Sequence, residues 1–193
     1  MKKDTLVGSI ARPARFMAAL LFSAAAAWAP SASAATAAEI ASESTQALQQ
    51  LQAQEPKARA LAEKATAILV FPNIVKAGML LMGGEGGEGA LIKHGRVQGY
   101  YNVAGVSFGL QAGIQTFSYA LFFMNDEALQ YLDRSDGWAV GAAPNVVVVN
   151  KGAAASLSST TLTQDVYAIP FGQKGLMAGI GLEGSKITRI NPK

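Results

Sequence analysis

Apolar residues recur with a helical period in two segments that follow residue 36. In the first segment, four of them occupy positions i, i+7, i+8 and i+11 of a predicted helix, Ala37–Gln54, and form one stripe. The opposite face carries glutamate and glutamine but no lysine or arginine, so packing against a core is favoured over lying on a membrane. Pro56 is typical of a first helical turn and predicts a second helix that ends at about residue 65. The stripe residues of the first helix are Ile40, Ala47, Leu48 and Leu51.

From residue 68 onward, short apolar runs alternate with glycine and other turn residues, a pattern that predicts β-strands. Pro72-Asn73 and His94-Gly95 are turn signals, and the glycine-rich run Gly83–Gly89 is interpreted as a hairpin connection. Asp126–Leu132 is predicted to be a short helix. The predicted strands are Ile68–Phe71, Ile74–Met82, Ala90–Lys93, Arg96–Tyr101, Val146–Val149, Val166–Phe171, Leu176–Leu182 and Ser185–Ile190.

The stretch Val97–Asn125 carries no charged residue and is long enough for a transmembrane helix. Its glycines, its polar amides and the strict alternation of apolar residues from Val106 to Ile114 indicate strands instead. The alternation changes parity near Thr116, as a β-bulge would require. An outer-membrane barrel would also alternate, but the two amphipathic helices and the polar carboxyl terminus disfavour it.

The predicted fold class is therefore α+β. Two N-terminal helices pack on a curved, mainly antiparallel β-sheet that could close like a barrel, and one short helix is inserted.

The first 34 residues have the anatomy of a secretory signal peptide. Four basic residues precede the apolar run Phe16–Ala29, and Ala32-Ser33-Ala34 fits a cleavage site. The apolar run is shorter than the roughly 20 residues that a membrane-spanning helix needs. We expect cleavage near Ala34 and a protein that is periplasmic or otherwise exported. The predicted organisation is a signal peptide over residues 1–34, an N-terminal helical segment over 35–64 and a β-rich domain over 65–193.

Export changes the charge balance of the chain. The full sequence has 16 basic and 13 acidic residues, a net charge of +3. The signal peptide holds four of the basic residues and one acidic residue, so twelve of each remain and the predicted mature chain is neutral. Domains that bind nucleic acid are usually strongly basic on one face, so no nucleic-acid partner is expected. Because the chain has no cysteine, its stability has no contribution from disulfides.

Little in the sequence points to catalysis. His94 is the one histidine of the chain, and with no cysteine the usual zinc ligand sets and nucleophile–base pairs cannot be assembled. Gly83–Gly89 is not a phosphate loop, because no G-K-[ST] follows it and Glu85 and Glu88 would repel phosphate. We expect no enzyme activity, no catalytic residue, no metal and no cofactor. A hydrolase with a Ser-Lys site stays open as a further alternative.

Several motifs, in order along the chain, resemble those of the SYLF domain family. The resemblance spans about residues 65–190 and implies a non-catalytic module that binds lipid. Eukaryotic members resemble membrane-associated adaptors that bind phosphoinositides and, in fungi, actin filaments. The first helix of this chain is acidic and export would take the protein away from actin, so actin is not an expected partner. The motifs are Ala65–Gly78, Glu88-Gly89, Val106–Gly113, Leu121–Asn125 and Gly175–Ser185.

Basic residues are concentrated near the carboxyl terminus. From Val140 to Lys193 there are five basic and two acidic residues, and the rest of the mature chain balances this excess. A basic face can bind anionic head groups with about 1 kcal/mol per well-placed charge, although ordinary solvated lysines give the same count. Lys76 interrupts an apolar run, so it is either snorkelling or contacting a ligand. The candidate lipid-binding residues are Lys76, Lys174, Lys186 and Arg189.

The sequence thus predicts an exported, non-catalytic domain that binds a membrane surface containing anionic phospholipid. The alternative is a structural or protein-interaction module of the cell envelope that has no lipid ligand.

Overall fold

The computed structural model describes residues 35–134, 137–140, 144–149, 163–175 and 184–193. The predicted signal peptide and the predicted strand Leu176–Leu182 lie outside these residues. Helix α1, Ala37–Gln54, has the bounds that its apolar stripe predicts. Helix α2, Pro56–Lys64, begins at the predicted proline.

Helix α1 begins with a capping box formed by Thr36 and Glu39. The Thr36 backbone N–H donates to Glu39 Oε2 at 2.8 Å, and the Glu39 N–H donates to Thr36 Oγ1 at 3.3 Å. These contacts satisfy two backbone donors that a helix start otherwise leaves unpaired. Further along, the hydroxyl of buried Ser44 donates to the backbone carbonyl of Val70 at 3.2 Å and so attaches α1 to the sheet.

The sheet is built around one long antiparallel hairpin. Strand β1 spans Ala67–Lys93, strand β2 spans Arg96–Phe123, and the two pair along almost their whole length. His94 and Gly95 form the turn, with φ values of 51° and 72°. Three register shifts interrupt the ladder, and one of them lies between Phe71 and Ile74. Pro72-Asn73 therefore forms a bulge within a continuous strand, where the sequence predicted a turn.

The glycine-rich run Gly83–Gly89 lies inside β1, so its interpretation as a hairpin connection is wrong. Strand β1 folds back, and its second half passes against its first half. A Cβ atom on Gly87 would lie 2.7 Å from the Asn73 carbonyl oxygen, and one on Gly89 would collide with the Val70 carbonyl oxygen. Only glycine permits so close an approach of two backbones. This explains why Gly87 and Gly89 lie in this part of β1.

The remaining strands extend the sheet on the β2 edge that β1 leaves free. They are β3 (Trp138–Ala139), β4 (Val146–Val148), β5 (Val166–Gly175) and β6 (Lys186–Ile190). The strand order is β3-β6-β2-β5-β4, with β1 on the other edge of β2. All pairs are antiparallel except β4 with β5. The described residues thus confirm a curled, mainly antiparallel sheet in an α+β fold with N-terminal helices on it. The other elements are α3 (Asp126–Leu129) and a 3-10 turn (Gln130–Asp133).

The two faces of the sheet bury separate apolar clusters. One face packs four aromatic side chains of β2 against Trp138 and the short helix α3, namely Tyr101, Phe117, Tyr119 and Phe123. The other face packs against Leu48, Leu51 and Leu61 of the two helices. Because each strand residue points to one face or the other, both faces of the central strands read as apolar in the sequence. Among the described residues, no helix is long and apolar enough to cross a membrane.

Candidate functional site

The middle of the β1–β2 hairpin presents exposed apolar side chains. We define the tip as Ala77–Gly84 of β1 with its partner segment Val106–Ile114 of β2. The large tip side chains that the structure describes are about two-thirds exposed or more, with Met79 at 78% and Ile114 at 67%. Single exposed apolar residues are common on proteins, but a contiguous group usually marks an interaction surface. The exposed members are Met79, Leu81, Met82, Val106 and Ile114.

The tip carries no charged residue. On β1 the nearest charges are Lys76 before it and Glu85 after it, and on β2 the whole of Val97–Phe123 is uncharged. Met79, Met82 and Ile114 line one shallow hollow on this surface together with small residues. An uncharged apolar ribbon of this kind can enter a non-polar environment without burying a charge.

A polar cluster lies at the base of the tip. Lys76 Nζ is 3.8 Å from Glu85 Oε2, and the side chains are only 12% and 7% exposed. The Ser185 hydroxyl donates to the other carboxylate oxygen, Glu85 Oε1. Gln115, which is paired with Lys76 across the ladder, is also buried. Among the described residues, Glu85 Oε2 and Gln115 Oε1 are buried without a hydrogen-bond donor. We call Lys76, Glu85, Gln115 and Ser185 the base cluster.

Two of the predicted lipid-binding residues flank the tip. Lys174 lies opposite Thr116 and Lys186 lies opposite Ala104, so the pair brackets the tip segment of β2 on the edge that β1 leaves free. Both lysines are exposed. The arrangement is an apolar ribbon with an exposed lysine on the neighbouring strand beside each end of its β2 segment.

The other two predicted residues are in ion pairs. Lys76 faces Glu85 in the base cluster. Arg189 Nη1 donates to Asp133 Oδ1 at 3.1 Å, and its guanidinium lies 6.0 Å from the centre of the Tyr101 ring. Each of these cations is therefore balanced by a carboxylate within the chain, whereas the two lysines that flank the tip have no ion pair with another residue that the structure describes.

The base cluster bears on the Ser-Lys alternative, since it holds a serine and a lysine. A Ser-Lys nucleophile needs the amine to accept the hydroxyl proton. Here Ser185 donates to one oxygen of Glu85, while Lys76 faces the other oxygen.

Within the described part of the chain, no group of three or more histidine, cysteine, aspartate or glutamate residues is suited to hold a metal ion.

Sequence reasoning missed the tip as a functional surface. Its signals are the uncharged stretch from Val97 to Asn125 and the run Met79–Met82, for which the sequence predicts strands and no exposed surface. Exposure of an apolar run depends on how the hairpin curls, and periodicity does not report that.

Part of the chain matches a known family. Residues 104–191 match the family model Ysc84, described as Las17-binding protein actin regulator. The match confirms the resemblance to the SYLF family that the sequence motifs indicate. No curated protein matches the chain.

Proposed function

We propose that the chain, which is similar to the SYLF family over residues 104–191, is a non-catalytic domain that binds membrane surfaces containing anionic phospholipid. The observation that carries this proposal is the tip, an exposed and uncharged apolar ribbon bracketed by Lys174 and Lys186. The apolar side chains would enter the head-group and acyl boundary, and the two lysines would contact lipid phosphates.

The energies of the two contributions favour the tip as the main anchor. Fully burying one Met, Leu or Ile side chain is worth about 1.5–3 kcal/mol, and each basic residue near an anionic surface adds about 1 kcal/mol. Among the side chains that the structure describes, five exposed apolar ones lie in the tip and two lysines flank it. Binding should therefore persist in part at high salt, because salt screens the lysine contribution but not the apolar one.

We further propose that the chain acts outside the cytoplasm, after cleavage near Ala34. The signal-peptide anatomy of residues 1–34 supports this location. The family description names Las17 and actin, but an exported protein would not meet a cytoplasmic actin network. Lipid binding is the part of the family's role that is compatible with export.

Co-sedimentation of residues 35–193 with vesicles tests the proposal. Vesicles of equal phosphatidylglycerol and phosphatidylcholine should bind the protein more tightly than phosphatidylcholine alone at low salt. Met79→Gln combined with Met82→Gln should weaken binding by about tenfold or more, since the charge is unchanged and two apolar anchors are lost.

The lysines are tested in the same assay. Lys174→Gln should weaken binding to the anionic vesicles about fivefold. Lys193→Gln is the matched control and should bind as the wild type does, because it removes the same charge from an exposed residue that does not flank the tip. A wild-type protein that does not sediment with anionic vesicles at low salt would refute membrane binding. Salt-resistant capture of an envelope protein without lipid would then favour the structural alternative.

A further inference from the structure

The base cluster connects three distant parts of the chain. Lys76 and Glu85 are nine residues apart on one strand, which in an extended strand would separate their Cα atoms by about 30 Å. Their side chains nevertheless approach to 3.8 Å, so β1 has to bend back between them. Ser185, which directly precedes β6, binds the same carboxylate from a position 100 residues further along.

The residues that lie between Lys76 and Glu85 are the β1 half of the tip. The ion pair therefore joins the two ends of the bend in β1. Met79 and Met82 are exposed on the outer side of this bend. Gly105 makes room for the hydrogen bond between Ser185 and Glu85. A Cβ atom on Gly105 would lie 2.5 Å from Ser185 Oγ and 3.3 Å from Glu85 Cγ.

A buried ion pair is a costly way to gain stability. Both ions lose hydration, and well-packed apolar residues in their place are often as stable. One well-attested use of buried polar pairs is to specify one arrangement out of several. In a glycine-rich ribbon without other charges, register and curvature are otherwise weakly specified.

We propose that Lys76, Glu85 and Ser185 form a latch that holds the hairpin bent and so displays the tip. They are positioning residues: they are buried beneath the tip and act on membrane binding through its shape. The inference rests on the proposed function and adds that Lys76 serves the binding surface by its pairing with Glu85, with no contact to lipid phosphate.

Glu85→Gln in residues 35–193 separates the latch from simple electrostatics. The substitution removes a negative charge, which alone would strengthen binding to anionic vesicles. Loss of the latch predicts the opposite sign, with binding to the phosphatidylglycerol vesicles weakened about tenfold. Asp126→Asn is the matched control, because it removes the same charge from the exposed Lys93–Asp126 pair at 3.6 Å and should leave binding unchanged or slightly stronger.

A second measurement distinguishes a latch from a general contribution to stability. Amide hydrogen exchange of Glu85→Gln should accelerate in the tip and remain near wild type in α1 and in the β2–β5 ladder. Exchange that accelerates equally everywhere would overturn the latch and leave only a structural role. Gly105→Ala and Ser185→Ala alter the same contact without a charge change, and they provide the test if Glu85→Gln does not fold.

The two proposals fail in different ways. If the wild-type protein binds vesicles and Glu85→Gln binds equally well, the latch is refuted and membrane binding stands. If the wild-type protein binds no vesicles, the proposed function is refuted, and tip-specific exchange in Glu85→Gln still decides whether the cluster holds the bend.

Discussion

Gly89 shows how one missing side chain permits the fold of the hairpin. It lies where the second half of β1 passes the first, and a Cβ atom there would collide with the Val70 carbonyl oxygen and with Phe71 Cδ1. Gly89→Ala should lower the free energy of unfolding by about 1–3 kcal/mol, the usual cost of overpacking. At Gly86 the nearest atom, the Val103 carbonyl oxygen, would be 3.7 Å away.

Urea unfolding of residues 35–193 measures the difference between the two glycines. Gly86→Ala is the matched control and should be as stable as the wild type or slightly more stable, because alanine loses less backbone entropy on folding. Equal midpoints for the two variants would contradict the close crossing of the two halves of β1.

Tyr101 provides a pH-dependent prediction at the same scale. Burial raises the pKa of its phenol above the ordinary 10, Arg189 opposes this shift and Asp133 adds to it. Since the pKa is higher in the folded state, the stabilising contribution is complete below pH 10 and is lost as the pH rises through the raised pKa.

Two variants test the raised pKa of Tyr101. Tyr101→Phe should lose less stability than the wild type between neutral pH and the alkaline range, in urea titrations at matched pH. Arg189→Gln should raise the pKa of Tyr101 further, because the charge that favours the phenolate is gone. A phenolate absorbance titration reads this directly, and a lower pKa in Arg189→Gln would contradict the placement of Arg189 over the ring.

At the scale of elements, the sequence predicts the helices well, because their signals lie within a few neighbouring turns of the chain. The four-residue stripe predicts α1 with its correct bounds, and Pro56 predicts the start of α2. The strands were located but cut too short, because Pro72-Asn73 and the glycine run are turn signals in most contexts. In the structure Pro72-Asn73 forms a β-bulge, and the glycine run lies where two backbone segments cross closely. Both features are consequences of pairing between residues that are distant in the sequence.

Of the candidate site, only the basic residues could be predicted from the sequence. Counting charge identifies Lys76, Lys174, Lys186 and Arg189, but it does not reveal which of them has an internal partner. Glu85 is nine residues from Lys76, and Asp133 is 56 residues from Arg189. The ladder alone shows that Lys174 and Lys186 bracket the tip, since it aligns them on the same edge of β2.

At the scale of the whole molecule, the matched family segment is smaller than the unit that can bury its core. Residues 104–191 include neither β1 nor the two helices. Leu48, Leu51 and Leu61 cover the face of the sheet that carries Val70 and Phe122. The predicted boundary at residue 65 would separate this cover from the sheet.

A fragment of residues 65–193 is therefore expected to lose cooperative unfolding and to aggregate, whereas residues 35–193 should unfold in one transition in urea. Without the helices, the apolar face beneath them becomes a large exposed patch, and the hydroxyl of Ser44 no longer caps the Val70 carbonyl. The same patch would attach the fragment to vesicles through the wrong surface, so lipid binding by it would say nothing about the tip. A soluble fragment with the midpoint of the longer chain would show that the helices are dispensable and that the boundary at residue 65 is a true domain limit.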